Sequence, residues 1–221
     1  MKNFTFRSKR SGFTMLELVM VIIVMGIIAS VAMPQMDRDT KQEGADIVLS
    51  DIRLTQHMAL MDYRHSFNNS RWQRSFWKFS VESCASDTGL FIGIGSDKDY
   101  EGDTDRIEAA LDSANGKPMF WSNQEKCTNG GDNTVSSEIF ITKKYGISTI
   151  AGRGGCAGIQ HIGFDHLGRP HVSFSNSKSP DYSTLMDKTC TFKFTLKNND
   201  VFEISILPES GHAFIVGQKD S

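Results

Sequence analysis

The sequence predicts an α+β protein in which a long, kinked N-terminal helix packs on an antiparallel β-sheet head. Three observations support this fold class. Residues 13–33 are almost all apolar, residues 37–63 carry apolar side chains at helical spacing, and the chain after about residue 68 alternates apolar and polar side chains between turns. Nineteen Gly against five Pro in 221 residues also suit a loop-rich head better than a helical bundle.

The apolar run 13–33 contains one charged residue, Glu17. At about 1.5 Å per residue, a helix of this length spans a hydrocarbon core of ~30 Å, so the run is predicted to be the membrane-spanning first half of the helix. Residues 1–12 contain four basic and no acidic side chains, which predicts a cytoplasmic N-terminus. A cleavable secretory signal usually has a shorter apolar core.

Glu17 is the unusual residue of this segment, because a carboxylate inside a membrane helix costs roughly 2.5–3.5 kcal/mol. One explanation is that its side chain reaches back toward the cytoplasmic head groups. A more specific explanation comes from its neighbours. The residues Gly12-Phe13-Thr14-Met15-Leu16-Glu17 resemble the processing site of type IV pilins and type II secretion pseudopilins.

This resemblance implies a role for each of four residues. A prepilin peptidase would cleave between Gly12 and Phe13 and methylate the new amino group of Phe13. The carboxylate of Glu17 would neutralise the Phe13 ammonium of a neighbouring subunit during assembly, since two charges that are costly alone in lipid become tolerable as a pair. Pro34 would kink the helix. Cleavage would also remove four positive charges and change the formal net charge from −2 to −6.

The predicted chain organisation follows from the same pattern. Residues 1–12 are a cytoplasmic leader that is cleaved, 13–33 the transmembrane half of the helix, 34–63 its periplasmic amphipathic half, and 64–221 a β-rich globular head. The amphipathic half has two apolar stripes, which favours packing on both its own sheet and neighbouring helices. The first stripe comprises Ala45, Val48, Leu49, Ile52 and Ala59, and the second comprises Ile47, Leu54, Met58 and Met61.

In the head, apolar alternation and turn residues predict eight strands. They lie at 77–82, 89–95, 138–142, 160–165, 170–174, 191–196, 201–207 and 212–216. Residues 162–170, IGFDHLGRP, resemble a hairpin of H-type minor pseudopilins and their minor-pilin relatives. Residues 203–211, with a strand followed by Pro-Glu-Ser-Gly, resemble the C-terminal strand and glycine turn of the same group.

The function implied by these resemblances is that of a minor pseudopilin, a structural subunit of a type II secretion pseudopilus at the bacterial inner membrane. Its implied partners are the prepilin peptidase, other subunits contacted through the N-terminal helix, an inner-membrane assembly platform and the lipid bilayer. The alternative is a minor type IV pilin at a fibre tip, with a role in adhesion or DNA uptake. An enzyme is not predicted, because the sequence has no GxSxG, HExxH or Walker motif.

An acidic segment in the head is the candidate metal site. Its spacing fits D-x-D-x-E-G-x5-E, a pattern in which carboxylates on a tight loop converge on Ca²⁺. The candidate ligands are Asp97, Asp99, Glu101, Asp103, Asp105 and Glu108. The other interpretation is a solvated acidic loop without a metal. The implied function itself requires no cofactor.

Four cysteines lie in the predicted head, at Cys84, Cys127, Cys156 and Cys190. An even number on the periplasmic side favours two disulfides, with three pairings open. The alternatives are free buried thiols and a zinc site, which the lack of C-x2-C spacing disfavours. Residues 64–79 interleave basic and aromatic side chains, but a charge of −6 makes nucleic-acid binding unlikely and favours a half-buried strand.

Overall fold

The computed structural model of the chain describes residues 14–129 and 134–218, with the side chains of residues 30–39 excepted. One helix, α1, extends over Met15–Met61 and includes Pro34. The chain divides into two units at residues 39 and 40. The predicted leader 1–12, the cleavage site at Gly12 and Phe13, and the side chain of Pro34 lie outside the described residues.

In the first unit, the large apolar side chains between residues 15 and 28 are at least half exposed. Among the residues that the structure describes, none of the helices is both long enough and apolar enough to cross a membrane. The predicted transmembrane segment 13–33 lies partly outside those residues.

The second unit contains eight strands and a short helix. The strands are β1 (Trp77–Ser83), β2 (Leu90–Gly95), β3 (Ile147–Gly154), β4 (His161–Phe164), β5 (Pro170–His171), β6 (Cys190–Leu196), β7 (Val201–Ile206) and β8 (Ala213–Ile215), and the helix is α2 (Ile141–Tyr145). They form two antiparallel four-stranded sheets with strand orders β2-β1-β4-β5 and β3-β6-β7-β8. The predicted α+β class with an antiparallel head is confirmed.

The C-terminal part of α1 belongs to the core of this unit. All five residues of the first predicted stripe are buried, and they belong to one cluster with apolar side chains from both sheets. In the second stripe, Ile47, Leu54 and Met58 are partly buried against that cluster, whereas Met61 is 75% exposed. The first stripe therefore lies in the core as its spacing predicts, and most of the second stripe also contacts that core. Packing of the second stripe on neighbouring helices stays a prediction.

In the head, one predicted strand is wrong and one strand is not predicted. Residues 138–142 are not a strand: a 3₁₀ turn over Ser137–Ile139 leads into α2, which ends at Gly146 with φ of 70°. The Ser136 hydroxyl caps the turn by accepting from the Glu138 amide, and such local bonds compete with strand pairing. The strand β3 is not predicted, because its glycines and a register shift between Ile147 and Thr149 interrupt the alternation.

Candidate functional site

Thr14 and Glu17 form a reciprocal hydrogen-bonded pair at the start of α1. The amide and the hydroxyl of Thr14 each donate to Glu17 Oε2 at 2.9 Å, and the Glu17 amide donates to Thr14 Oγ1 at 3.3 Å. This is a capping box, which satisfies helix N-H groups that have no partner within the helix. The carboxylate at this end also complements the positive end of the helix dipole. The sequence signal for this capping box is the spacing Thr-x-x-Glu at residues 14–17, which sequence reasoning on Glu17 missed.

Three of the six acidic candidates in the head come together. The carboxylate oxygens of Asp97, Asp99 and Glu108 lie within 4.8 Å of one another. Asp97 and Glu108 are buried and Asp99 is exposed. Carboxylates at this separation can share one hard cation such as Ca²⁺.

Backbone amides orient the two buried carboxylates of this group. Asp97 accepts from Glu101 at 3.1 Å and from Gly102 at 2.8 Å. Glu108 accepts from Asp99 at 3.3 Å and from Asp105 at 3.0 Å. Burial raises the pKa of Asp97 above its ordinary value, and the Gly102 amide opposes that change.

The other three candidates, Glu101, Asp103 and Asp105, do not belong to this three-residue group. Asp105 instead caps the 3₁₀ turn Arg106–Glu108, where it forms a capping box with Glu108. The spacing predicts that six carboxylates converge on one cation. In the acidic segment as the structure describes it, only three of them come together.

The hairpin at residues 161–171 is organised around a buried aspartate, Asp165. Its Oδ1 accepts from the amides of Leu167 and Arg169, each at 2.9 Å, and its Oδ2 accepts from Arg169 Nε at 2.8 Å. Burial opposes ionisation of Asp165, but the hydrogen bonds from His171 and Arg169 prevail and hold its pKa well below the usual range. The Asp and the Arg of the quoted motif thus fix the turn.

The buried ring of His171 closes this network. Its Nδ1 lies 2.9 Å from Thr184 Oγ1, and Thr184 donates its single hydroxyl proton to the Asp181 carbonyl. The other ring nitrogen, Nε2, faces Asp165 Oδ2 at 3.5 Å.

Helix α1 binds both glycine turns of the head through two polar side chains. Gln56 Nε2 donates to the carbonyls of Gly168 and Ser210, each at 2.8 Å. Arg53 Nη2 donates to the Ala213 carbonyl at 2.9 Å. Both quoted head motifs therefore meet at one edge of the helix.

The four cysteines form two disulfides, Cys84–Cys127 and Cys156–Cys190. Their Cα atoms are 5.5 and 5.0 Å apart, within the range that a disulfide requires. This settles the three pairings that the sequence leaves open. These four cysteines are therefore neither zinc ligands nor free thiols.

Comparison with known proteins gives one match. No curated protein and no solved structure matches the chain. Residues 7–33 match the family model described as the prokaryotic N-terminal methylation motif. The match does not extend to the head, so the specific resemblance to H-type minor pseudopilins is not confirmed. The chain thus carries the prokaryotic N-terminal methylation motif, which is consistent with a type IV pilin-like protein or pseudopilin.

Proposed function

We propose that this protein is a minor pseudopilin, a structural subunit of a type II secretion pseudopilus. In this proposal it is a single-pass protein of the bacterial inner membrane, with a cytoplasmic N-terminus and a periplasmic head. The observation that carries the proposal is the methylation motif at residues 7–33. The antiparallel sheets packed on residues 45–59 of α1 support it, because this architecture suits a subunit that assembles through its helix.

The first test is the intact mass of the protein extracted from bacterial membranes. A prepilin peptidase would leave a chain that begins at Phe13 and carries one added methyl group. The matched control is the same chain in cells that lack the peptidase, where the mass of the uncleaved leader is expected. A chain that still begins at Met1 in cells with an active peptidase contradicts the proposal.

The role proposed for Glu17 in assembly needs a comparison of two variants. Thr14→Ala weakens the capping box but keeps the carboxylate, whereas Glu17→Gln removes the charge and keeps the shape of the side chain. If the carboxylate neutralises the Phe13 ammonium of a neighbour, Glu17→Gln inserts in the membrane but does not enter filaments, and Thr14→Ala does. Equal assembly of both variants excludes a role for the charge.

Deleting the gene in its host distinguishes a pseudopilin from a minor type IV pilin. A pseudopilin deletion abolishes export of secreted enzymes through the outer membrane. The alternative, a minor type IV pilin, is favoured instead if export continues while surface fibres, adhesion or DNA uptake are lost. Complementation with the Glu17→Gln variant is the control, since it supplies the head without an assembly-competent helix.

Calcium binding by the acidic loop stays a prediction, now confined to Asp97, Asp99 and Glu108. The two buried carboxylates are already oriented by backbone amides, so a cation would meet preorganised oxygens. We expect Ca²⁺ to raise the melting temperature of the chelator-treated protein, and Asp99→Asn to remove that increase. Asp103→Asn, outside the group, is the control. A melting temperature that is insensitive to Ca²⁺ excludes the site.

A further inference from the structure

A cavity of about 500 Å³ lies on the face of the first sheet that carries Ser80. Cross-strand pairing places Gly93, Ser80 and His161 in one row on this face. A Cβ atom at Gly93 would meet one atom within 4 Å, Ser80 Oγ at 3.0 Å. Space therefore remains above Gly93, and residues 102–105 and 119–124 line the sides of the cavity.

The neighbouring glycines of this face show that the opening is local. A Cβ at Gly95 would lie 2.2 Å from the methyl carbon of Thr104, and a Cβ at Gly163 would lie 2.2 Å from the ring of Phe174. At those two positions another side chain occupies the space that the glycine leaves. At Gly93 the Ser80 hydroxyl, at 3.0 Å, is the one atom within 4 Å of such a Cβ, and the cavity is found there.

Three residues that line the cavity carry buried polar atoms with no hydrogen-bond partner. They are Nε1 of Trp121, Nε2 of His161 and Oγ1 of Thr104. In the part of the chain that the structure describes, only five buried side-chain atoms lack a partner, so these three are concentrated at one place. Trp121 is 7% exposed, and its indole N-H can only donate. Unpaired buried polar groups are rare in folded proteins and call for a ligand or ordered solvent.

The chemistry of the lining narrows the class of ligand. Its charged residues are Lys78, Glu82, Asp103 and Asp105, an excess of negative charge that disfavours anions. The neutral polar residues include Ser122, Asn123, Gln124 and Gln160, whose side chains offer both donors and acceptors. The aromatic residues Phe120 and Trp121 provide apolar surface beside them. A compact ligand that presents many hydroxyl groups and apolar C-H faces, without a negative charge, matches this set.

We propose that this cavity is a binding site for a neutral saccharide. The hydroxyl groups of a sugar both donate and accept, so a sugar can pair with the donors as well as the acceptors that the lining residues carry. Burial, with a smaller contribution from the charge of Lys78, lowers the pKa of His161 and keeps its ring neutral near pH 7. The site is separate from the processing motif and does not depend on the pseudopilin assignment.

The test follows the indole N-H resonance of Trp121 in ¹⁵N-labelled full-length protein. The protein is held in micelles of a detergent without a sugar head group and titrated with chitobiose, cellobiose and maltose. The three tryptophans give three indole signals, and Trp121→Phe identifies the one from the cavity. Saturable movement of that signal alone supports the site, because Trp72 and Trp77 do not line the cavity. No movement with any of the three sugars overturns it, and so does equal movement with inorganic phosphate.

A variant that fills the cavity tests whether the sugar binds there. Gly93→Leu places a side chain in the open space and is expected to abolish the saturable shift, while Thr149→Leu, at an exposed position of β3, leaves it unchanged. Unchanged binding by folded Gly93→Leu overturns the proposal. If that variant does not fold, calorimetry with Asn123→Ala replaces it, with at least tenfold weaker binding expected and wild-type affinity contradicting the site.

Discussion

The side-chain amide of Gln56 donates a 2.8 Å hydrogen bond to the backbone carbonyl of Gly168, which lies 112 residues away in the sequence. The same nitrogen donates to the carbonyl of Ser210 at 2.8 Å. One side chain of α1 therefore holds two turns that belong to different sheets. This polar link supplements the apolar contacts through which α1 packs against both sheets.

Replacing Gln56 by Ala leaves both carbonyls without this donor. The hydrogen bond to Gly168 is partly buried and the one to Ser210 is exposed, so we expect the free energy of unfolding to fall by about 1–2 kcal/mol, mainly from the first. The measurement is chemical denaturation followed by tryptophan fluorescence. His57→Ala, an exposed neighbour on the same helix, is the control. Identical denaturation midpoints for the two variants contradict the role of Gln56.

Gly211 lies in the second of these turns, at a φ of 65°. A Cβ there would lie 2.3 Å from the carbonyl oxygen of Gly168, and backbone atoms cannot move aside cheaply. Gly158 has a similar φ of 74°, but a Cβ there meets nothing within 4 Å. Gly158→Ala thus measures the conformational cost alone, ~1–2 kcal/mol.

We expect Gly211→Ala to lower the free energy of unfolding by about 1–3 kcal/mol more than Gly158→Ala, because overpacking adds to the conformational cost. Thermal and chemical denaturation of the two variants provide the comparison. Equal losses of unfolding free energy in the two variants would show that the turn can move away from Gly168 at no cost in stability.

Asp51 is a buried carboxyl group of α1 whose titration should be visible in the stability of the protein. Burial, and then the negative charges of Asp112 and Glu138, raise its pKa from 3.8 to about 8. Between these two values the folded state holds a proton that the unfolded state has released. The free energy of unfolding therefore falls as the pH rises through this window, by at most about 1.4 kcal/mol per pH unit.

We expect Asp51→Asn to remove this component, so that the variant loses less stability than wild type between pH 5 and pH 8. Asp46→Asn, at an exposed position of the same helix, should follow the wild-type profile. Denaturant unfolding at several pH values checks both variants. Parallel profiles for wild type and Asp51→Asn contradict the burial effect.

The disulfide Cys156–Cys190 connects the chain just after β3 to the start of β6, and both residues are fully buried. Replacing both cysteines by Ala should cost about 2–4 kcal/mol of unfolding free energy. The oxidation state of these two cysteines in the wild-type protein is checked by alkylation under denaturing, non-reducing conditions followed by mass spectrometry. Reactive thiols at these two positions, in protein isolated from an oxidising compartment, would exclude the bridge.

The sequence was most informative where side chains alternate along a strand or repeat along a helix. The buried stripe of α1 and the strands β1, β2, β6 and β7 follow directly from such local patterns. The sequence does not predict β3, because its glycines interrupt the alternation, and it wrongly predicts a strand at 138–142, where a 3₁₀ turn leads into the first residues of α2. Over so few residues, the pattern of apolar and polar side chains cannot distinguish a strand from a helical turn.

The candidate sites were predictable to different degrees for a similar reason. The capping box of Thr14 and Glu17 depends on residues three apart, so its signal is present in the sequence. The cavity above Gly93 depends on β1, β2, β4 and the segment 119–124 meeting in space. These segments are far apart in the sequence, so neither residue spacing nor a motif predicts the cavity that they form.

The attachment of the two turns to α1 has a mechanical consequence. In the proposed filament, tension would act along α1, and the contacts of Arg53 and Gln56 with Gly168, Ser210 and Ala213 cross from the helix to both sheets. Tension on the helix would stretch these bonds together in shear, so that they share the force instead of opening one after another. The head would then yield as a whole, at a higher force than any single bond could bear.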